Sequence, residues 1–589
     1  MLLRFLRLLT PRERTIAAVL FVAMVGGALL ETAGLGLVLP FLAILNDPER
    51  AVSNNLMRRF ASVVGAQSTH EILTALGLAL LAFFILKNVY LMVLNWAQFR
   101  FLYGRQVRFA TTLLRTYLSQ PYEFFLETNS SLLIRKLNVD VFHAFSQAII
   151  PLATVIVETL VAACVLGLLL YAAPSVALMT FAVLGGLGGA YYAVTRKMLL
   201  RLGRLSKHTG DLMIQWSSQA LGSIKEAKVL GRETFFVDSF ARQAQAHMRA
   251  SGAAQVLANT PRMLIETLAV ATLLAVAARA LAGGSEQVLL TLGVFGLAAV
   301  RLMPSANRIA FSMSIVRNGA PSFDALFEDL YGLRPPTKPP DSPAVTSFGE
   351  ISLSNLVYRY PNSAAPALDG VTLSIRSGQR VALVGHSGSG KTTLADVLLG
   401  LLRPSGGEIR IDGLPVSNSA VWRRIVGYVP QSVYLIDDSI RRNVALGLPD
   451  EAISDDDIWS ALRTAHLDEF VAALPAKLDA LVGENGVRLS GGQRQRIGIA
   501  RAIYDDPQLI VLDEATSALD GLTEQEVRSS IESLSRTKTL VVIAHRMSTV
   551  RSCDAIFFLK AGRLIGADTF DRLVATNMEF RRFATVETD

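Results

Sequence analysis

The sequence predicts an α-helical membrane half, six spanning helices with long extensions, joined to a soluble α/β half built on a P-loop. Three observations predict it. Residues 1–320 hold several apolar runs long enough to cross a bilayer, whereas 340–589 read as an ordinary soluble α/β domain. Hydrophobic residues make up 51% of the 589 and charged residues only 18%, so part of the chain is more apolar than a soluble fold. Finally, an apolar run 381–384, a glycine-rich loop 385–393 and a helix-patterned segment 394–399 follow one another as strand, loop and helix.

The membrane half opens with residues 1–9, short and amphipathic, which suit the membrane surface better than a cleavable signal. Apolar spans are expected at about 15–45, 72–97, 148–170, 176–194, 256–278 and 288–316. A polar stretch, 46–71, contains an amphipathic segment at 55–64. Two long basic segments, 100–145 and 196–249, carry Arg105, Arg108, Arg115, Arg196, Lys197, Arg201 and Arg204, while the turn at 171–175 carries no charge. The positive-inside rule therefore places both termini and both long segments in the cytoplasm. Those segments keep helical periodicity and are expected to continue the spanning helices. Their tips, near 122–131 and 219–233, are expected to press on the soluble half or else simply to close helical hairpins. The net charge of +8 comes largely from these loops, so it does not point to nucleic acid. The two cysteines, Cys164 and Cys553, lie in different halves and allow no disulfide framework or zinc spacing.

Ionisable side chains inside spans are costly and mark functional candidates. Arg262 and Glu266 lie four apart on one helix face, as an ion pair or as part of a cavity. Arg301 and Arg308 are seven apart on one face beside Asn307, with no acid nearby in sequence. Two such arginines suit phosphate oxygens on a cavity wall, the alternative being that they snorkel to the interface. Lys87, Glu31 and Glu158 are placed to pair with other spans.

Domain boundaries follow from composition. Residues 1–333 form the membrane domain, the proline-rich 334–345 a linker, and 346–589 the soluble domain. In that domain the loop Gly385-His386-Ser387-Gly388-Ser389-Gly390-Lys391-Thr392-Thr393 fits a nucleoside triphosphate. Its glycines let backbone N–H groups wrap the phosphates at a helix N-terminus. Lys391 reaches the β- and γ-phosphates and Thr392 holds Mg²⁺. Tyr360 is a stacking platform for a base, and Gln431, after the strand 425–429, is placed for Mg²⁺ or the attacking water. Ser490, Gly491, Gly492 and Gln493 open a helix and offer a second phosphate-binding N-terminus. The strand 509–512 ends in Asp513, for Mg²⁺, and Glu514, for the water. Ser517 to Asp520 follow, and the strand 541–544 ends in His545, close to where the γ-phosphate would lie.

This ordered series resembles the ATPase domain of the ABC transporters, in the exporter arrangement of six spans followed by one ATPase domain, and covers essentially the whole chain. The resemblance implies the following roles: Tyr360 as the adenine-stacking aromatic, 385–393 as Walker A, Gln431 as the Q-loop residue and 489–493 as the signature motif. It also implies Asp513 as the Walker B acid, Glu514 as catalytic carboxylate, Asp520 in the D-loop and His545 as the switch histidine. Residues 483–487 resemble the exporter X-loop, with Asn485 where arginine is more usual. In this family the signature of one subunit closes over Walker A of the other. ATP and Mg²⁺ are therefore the implied cofactors and a second copy of the chain the implied partner, in a homodimer or else a heterodimer with another intact half. Within the membrane half, 31–40, 224–233, 261–266 and 301–308 resemble the lipid-linked oligosaccharide flippases of bacterial cytoplasmic membranes. That likeness implies a polyprenyl pyrophosphate bearing a glycan, whose phosphates would favour Arg262, Arg301 and Arg308. The alternatives are a lipid or multidrug exporter and, from another class, an ATP-gated channel or a regulatory ATPase that moves nothing.

Overall fold

The computed structural model describes residues 1–46, 59, 62, 65, 68–172, 174–282, 288–333, 345–361, 363–416, 422–513, 527, 529, 531–535, 537–544 and 546–586. The chain divides into one unit of Met1–Gln120 with Glu127–Pro335 and another of Pro121–Leu126 with Pro336–Asp589. The expected segment at 55–64 and the proline-rich stretch at 334–344 lie almost wholly outside the described residues.

Helices build the first unit: α1 Leu2–Leu8, α2 Pro11–Asn46 and α3 Thr69–Leu118, then α4 Tyr122–Glu127, most of which belongs to the other unit. There follow α5 Ser130–Arg135, α6 Ile150–Ala172, α7 Pro174–Gly222, α8 Ile224–Leu230, α9 Glu233–Ala282 and α10 Val288–Gly332. With 50, 49 and 50 residues, α3, α7 and α9 are continuous helices. At 1.5 Å per residue each runs about 75 Å, far beyond the ~30 Å hydrocarbon thickness. The basic segments thus continue the spans, as expected. Among the described residues Pro11–Val38, His70–Leu118 and Ser130–Leu168 are long and apolar enough to cross a membrane. Exposed Leu78, Leu81, Ile85, Leu86 and Val89 give α3 a surface suited to lipid rather than water.

Several charged groups inside this unit pair across helices. Buried Glu13 of α2 takes both Arg105 and Arg108 from α3. Between α5 and α6 the helix widens into two π turns, Lys136–Asp140 and Ala144–Ile149, flanking Val141–His143. Such turns frequently coincide with functional positions. The second is gripped by Gly319 of α10, where a Cβ would lie 2.6 Å from the Gln147 carbonyl. Only glycine permits that approach.

The second unit is layered around two sheets. The strands β1 Glu350–Tyr358, β2 Leu368–Arg376, β4 Gly406–Ile411 and β5 Leu414–Pro415 form an antiparallel sheet in the order β2-β1-β4-β5. Alternate burial along β2 is what a strand with one wet face shows. The strands β3 Arg380–Val384, β6 Val426–Val429, β7 Leu509–Asp513, β8 Thr539–Ile543, β9 Ala555–Lys560 and β10 Arg563–Asp568 form the other sheet, ordered β10-β9-β3-β8-β7-β6. It is parallel except where β10 returns along β9. Every residue of β3 and β8 is buried, because both faces are covered. Ile510, Leu512 and Val542 enter one core with Ile497 and Phe558, while Leu509, Val511 and Val541 enter the opposite one with Leu353 and Ile375.

Candidate functional site

The glycine loop leaves the buried end of β3 and enters α11, Lys391–Leu398. Its path admits no side chain at two places. At Gly385, φ +149°, a Cβ would sit 2.2 Å from the Leu559 carbonyl oxygen. At Gly390, φ +103°, it would sit 2.7 Å from that of Ala367. Lys391 is buried, and its Nζ donates to the carbonyls of Gly385 at 2.7 Å and His386 at 3.1 Å. The ammonium thus lies across the loop it is meant to complete. Ser389 Oγ is buried without a partner among the described residues, whereas Ser387 and Gly388 are exposed. A donor left unpaired beside a buried ammonium and a helix N-terminus fits the phosphates of a nucleotide.

Thr392 is exposed in the first turn of α11, and Thr393, buried, meets the Tyr360 hydroxyl at 3.1 Å. Tyr360 is therefore tied to the loop, its ring edge-on to Tyr358 at 5.0 Å. The strand order sets β3, β8 and β7 side by side, so Asp513 ends its strand at the same carboxyl edge as the loop. Ligands of open α/β sheets bind at that edge. Gln431 is exposed just past β6. Asp396, one turn along α11 from Thr392, was not among the expected site residues. Burial, and then the charge of Asp513, pushes its carboxyl up to about 6. Burial followed by the same two carboxylates pushes the Tyr428 phenol up to about 12. Carboxylates that repel one another beside a threonine hydroxyl are a donor set for a hard divalent cation such as Mg²⁺. Glu514, Asp520 and His545 lie outside the described residues.

Ser490 caps a second helix, α12 Gly491–Ile503. Its hydroxyl accepts the Gln493 N–H at 3.2 Å, and Gln493 Oε1 accepts the Ser490 N–H at 2.8 Å. Gly491 at the tip is exposed and Gly492 buried. The helix start is rigid and open to a partner, an arrangement a phosphate-binding N-terminus requires. Asn485, in the turn Glu484–Gly486, holds φ +51°.

In the membrane unit Glu158 of α6 is buried and accepts from Ser305 Oγ and Arg308 Nη1 of α10, each at 2.7 Å. The expectation that Arg308 lacks an acid is therefore corrected: its partner sits on another helix, 150 positions away in the chain. Glu158 pairs with another span, as expected. The Arg308 side chain remains 54% exposed, so the rest of the guanidinium is available. The side chains of Arg262 and Arg301 lie outside the described ones.

Comparison with known proteins agrees with this geometry. Residues 368–517 match the ABC transporter family. A protein of Alkalilimnicola ehrlichii described as an ATP-dependent lipid A-core flippase is 31% identical over 483 residues, covering 80% of each chain. One of Thiobacillus denitrificans with the same description is 32% identical over 468 residues, covering 78% of this chain and 79% of that one. The fold is that of a bacterial Atm1-family ABC exporter solved with ATP bound, at TM-score 0.77 and 22% identity, covering 97% of this chain and 99% of that one. An exporter fold, a P-loop with its buried lysine and relatives aligned over four-fifths of their length place the chain in the ABC transporter family, as an ATP-hydrolysing transporter.

Proposed function

We propose that the chain is one half of a homodimeric flippase that moves a phosphate-bearing glycolipid across the bacterial cytoplasmic membrane, first of all a polyprenyl-pyrophosphate-linked oligosaccharide. The observation that carries it is Arg308, a half-exposed guanidinium held between membrane helices by a buried carboxylate. Its exposed guanidinium suits phosphate oxygens, which bind arginine in bidentate pairs. A hydrophobic drug would call for an apolar wall instead. Arg262 and Arg301 join Arg308 in this reading. The names of the relatives favour a second cargo of the same chemistry, a lipid A-core glycolipid.

Domains 1–333 and 346–589, joined by 334–345, divide the work, with both termini cytoplasmic. Lys391, Ser389 and the N–H groups of the loop hold the nucleotide phosphates, and Tyr360 stacks on the base. Thr392, Gln431 and Asp513 hold Mg²⁺, which when bound offsets the charge of the phosphate oxygens. Glu514 orients the attacking water and His545 contacts the γ-phosphate. Ser490 to Gln493 and Asp520 serve the loop of the second copy, so two chains make two sites.

Vesicles carrying the reconstituted protein test the reading. A labelled polyprenyl-pyrophosphate glycan in the outer leaflet gains ATP-dependent protection, and Glu514→Gln abolishes it. Protection of a lipid A-core glycolipid alone decides for the second cargo, and protection of neither refutes the proposal.

A further inference from the structure

The membrane unit holds a cavity of about 500 Å³ between the π turns, α7, α9 and α10. Its lining residues fall at 135–147, 199–214, 247–258 and 314–322, which is where all four helices leave their apolar segments. Pockets that enclose small ligands measure roughly 300–1,000 Å³. The volume therefore suits a short, compact headgroup.

The wall has a definite chemistry. Its cations and acids cancel: Arg135 bonds Asp140 at 2.9 Å and also pairs with Asp211, and Lys207 stands 4.0 Å from Asp140. An anion would find no spare positive charge there, and Val139, Leu199, Met213, Ile214 and Ile315 set apolar surface among the polar side chains. Gln147, Ser206, Ser251, Gln255 and Asn318 all line the cavity. The Arg135 Nε–H is buried without a partner among the described residues. His247 Nδ1 lies 2.8 Å from the Ser206 carbonyl, which can only accept, so Nδ1 is the donor in that bond. Gly203 keeps room for the Asn318 amide, since a Cβ there would lie 2.7 Å from Asn318 Oδ1. A wall that balances its charges and mixes polar side chains with apolar surface matches a saccharide, whose rings present C–H faces as well as hydroxyls.

We infer that this cavity receives the saccharide of the transported glycolipid while Arg308 holds its phosphate. The inference rests on the proposed cargo class and adds a second recognition element to it. Along α10, Ser314 to Ser322 lie six to fourteen residues past Arg308, about 9–21 Å at 1.5 Å per residue. That offset is comparable with the length of a short glycan leaving a pyrophosphate.

The test uses the full chain in nanodiscs with two lipids, polyprenyl pyrophosphate with and without its glycan. In Asn318→Ala and Gln255→Ala, affinity for the glycan-bearing lipid falls about tenfold while that for the bare lipid is unchanged. Arg308→Ala weakens both alike. A second arm needs no lipid: the free oligosaccharide, or a lipid A-core oligosaccharide, slows maleimide labelling of Ser251→Cys. Equal loss for both lipids, or no loss, together with unaltered labelling, overturns the glycan site and leaves the cargo reading standing. Saccharide protection of Ser251→Cys in a protein that binds neither polyprenyl lipid overturns that cargo and keeps the site.

Discussion

Glu158→Gln isolates the electrostatic part of the proposed phosphate site. Glutamine keeps the shape and a carbonyl oxygen for Ser305, but it removes the charge that Arg308 answers at 2.7 Å. A hydrogen bond to a charged group contributes about 1.5–3 kcal/mol. Because the Arg308 side chain is 54% exposed, solvent screening lowers that to about 1–1.5 kcal/mol. This is the free energy with which Glu158 competes against an incoming anion for the same guanidinium. Since 1.4 kcal/mol is a factor of ten, the variant is expected to bind polyprenyl pyrophosphate up to about tenfold more tightly. Binding is read by fluorescence on the protein in nanodiscs, with Arg308→Gln as the opposite variant. A thermal double-mutant cycle on Glu158→Gln and Arg308→Gln is expected to return a coupling of about 1 kcal/mol. Unchanged or weaker binding in Glu158→Gln, with coupling intact, would refute the claim that carboxylate and ligand share Arg308.

Three further outcomes follow from the soluble unit. Gly385→Ala forces a carbon to 2.2 Å from the Leu559 carbonyl, so nucleotide binding is expected to be lost in equilibrium dialysis even where the domain folds. Ser490→Ala removes one half of the box that caps α12 and is expected to cost about 1 kcal/mol, seen as a fall in Tm of roughly 2–4 °C. Burial pushes the Cys553 thiol up from 9.0 to about 11, so the neutral form is favoured in the fold. Its contribution to stability is present below the unfolded value of 9.0 and is lost as pH rises through about 11. Maleimide labelling of Cys553 at pH 8 is therefore expected to be at least about tenfold slower than in urea, and comparable rates would contradict its burial.

The phosphate-binding loop was legible because its chemistry is local. Lys391, Ser389 and the carbonyls that Lys391 meets fall within nine residues, and the strand and helix on either side show their periods plainly. Asp396 was not, although it stands one helical turn from Thr392. Its carboxyl is perturbed by burial and by Asp513, and 117 positions of chain separate the two acids. The same limit explains Arg308. Inspection of its sequence neighbourhood finds no acid, because the acid that holds it belongs to α6.

The membrane helices show a different limit. In α6 almost every side chain is apolar, so hydropathy marks the span but carries little information about which face turns inward. Rotation is then set by the few positions where packing is unforgiving. Glu158 must find Ser305 and Arg308, and Gly319 must meet Gln147 where no other residue fits. The two π turns shift register at and just before Gln147, each widening a turn of the helical run that leads into α6. A straight α-helical reading of 130–172 would therefore carry the residues beyond each bulge onto a wrong face. The cavity lies beside that shift, so its wall is assembled by backbone geometry that hydropathy cannot record.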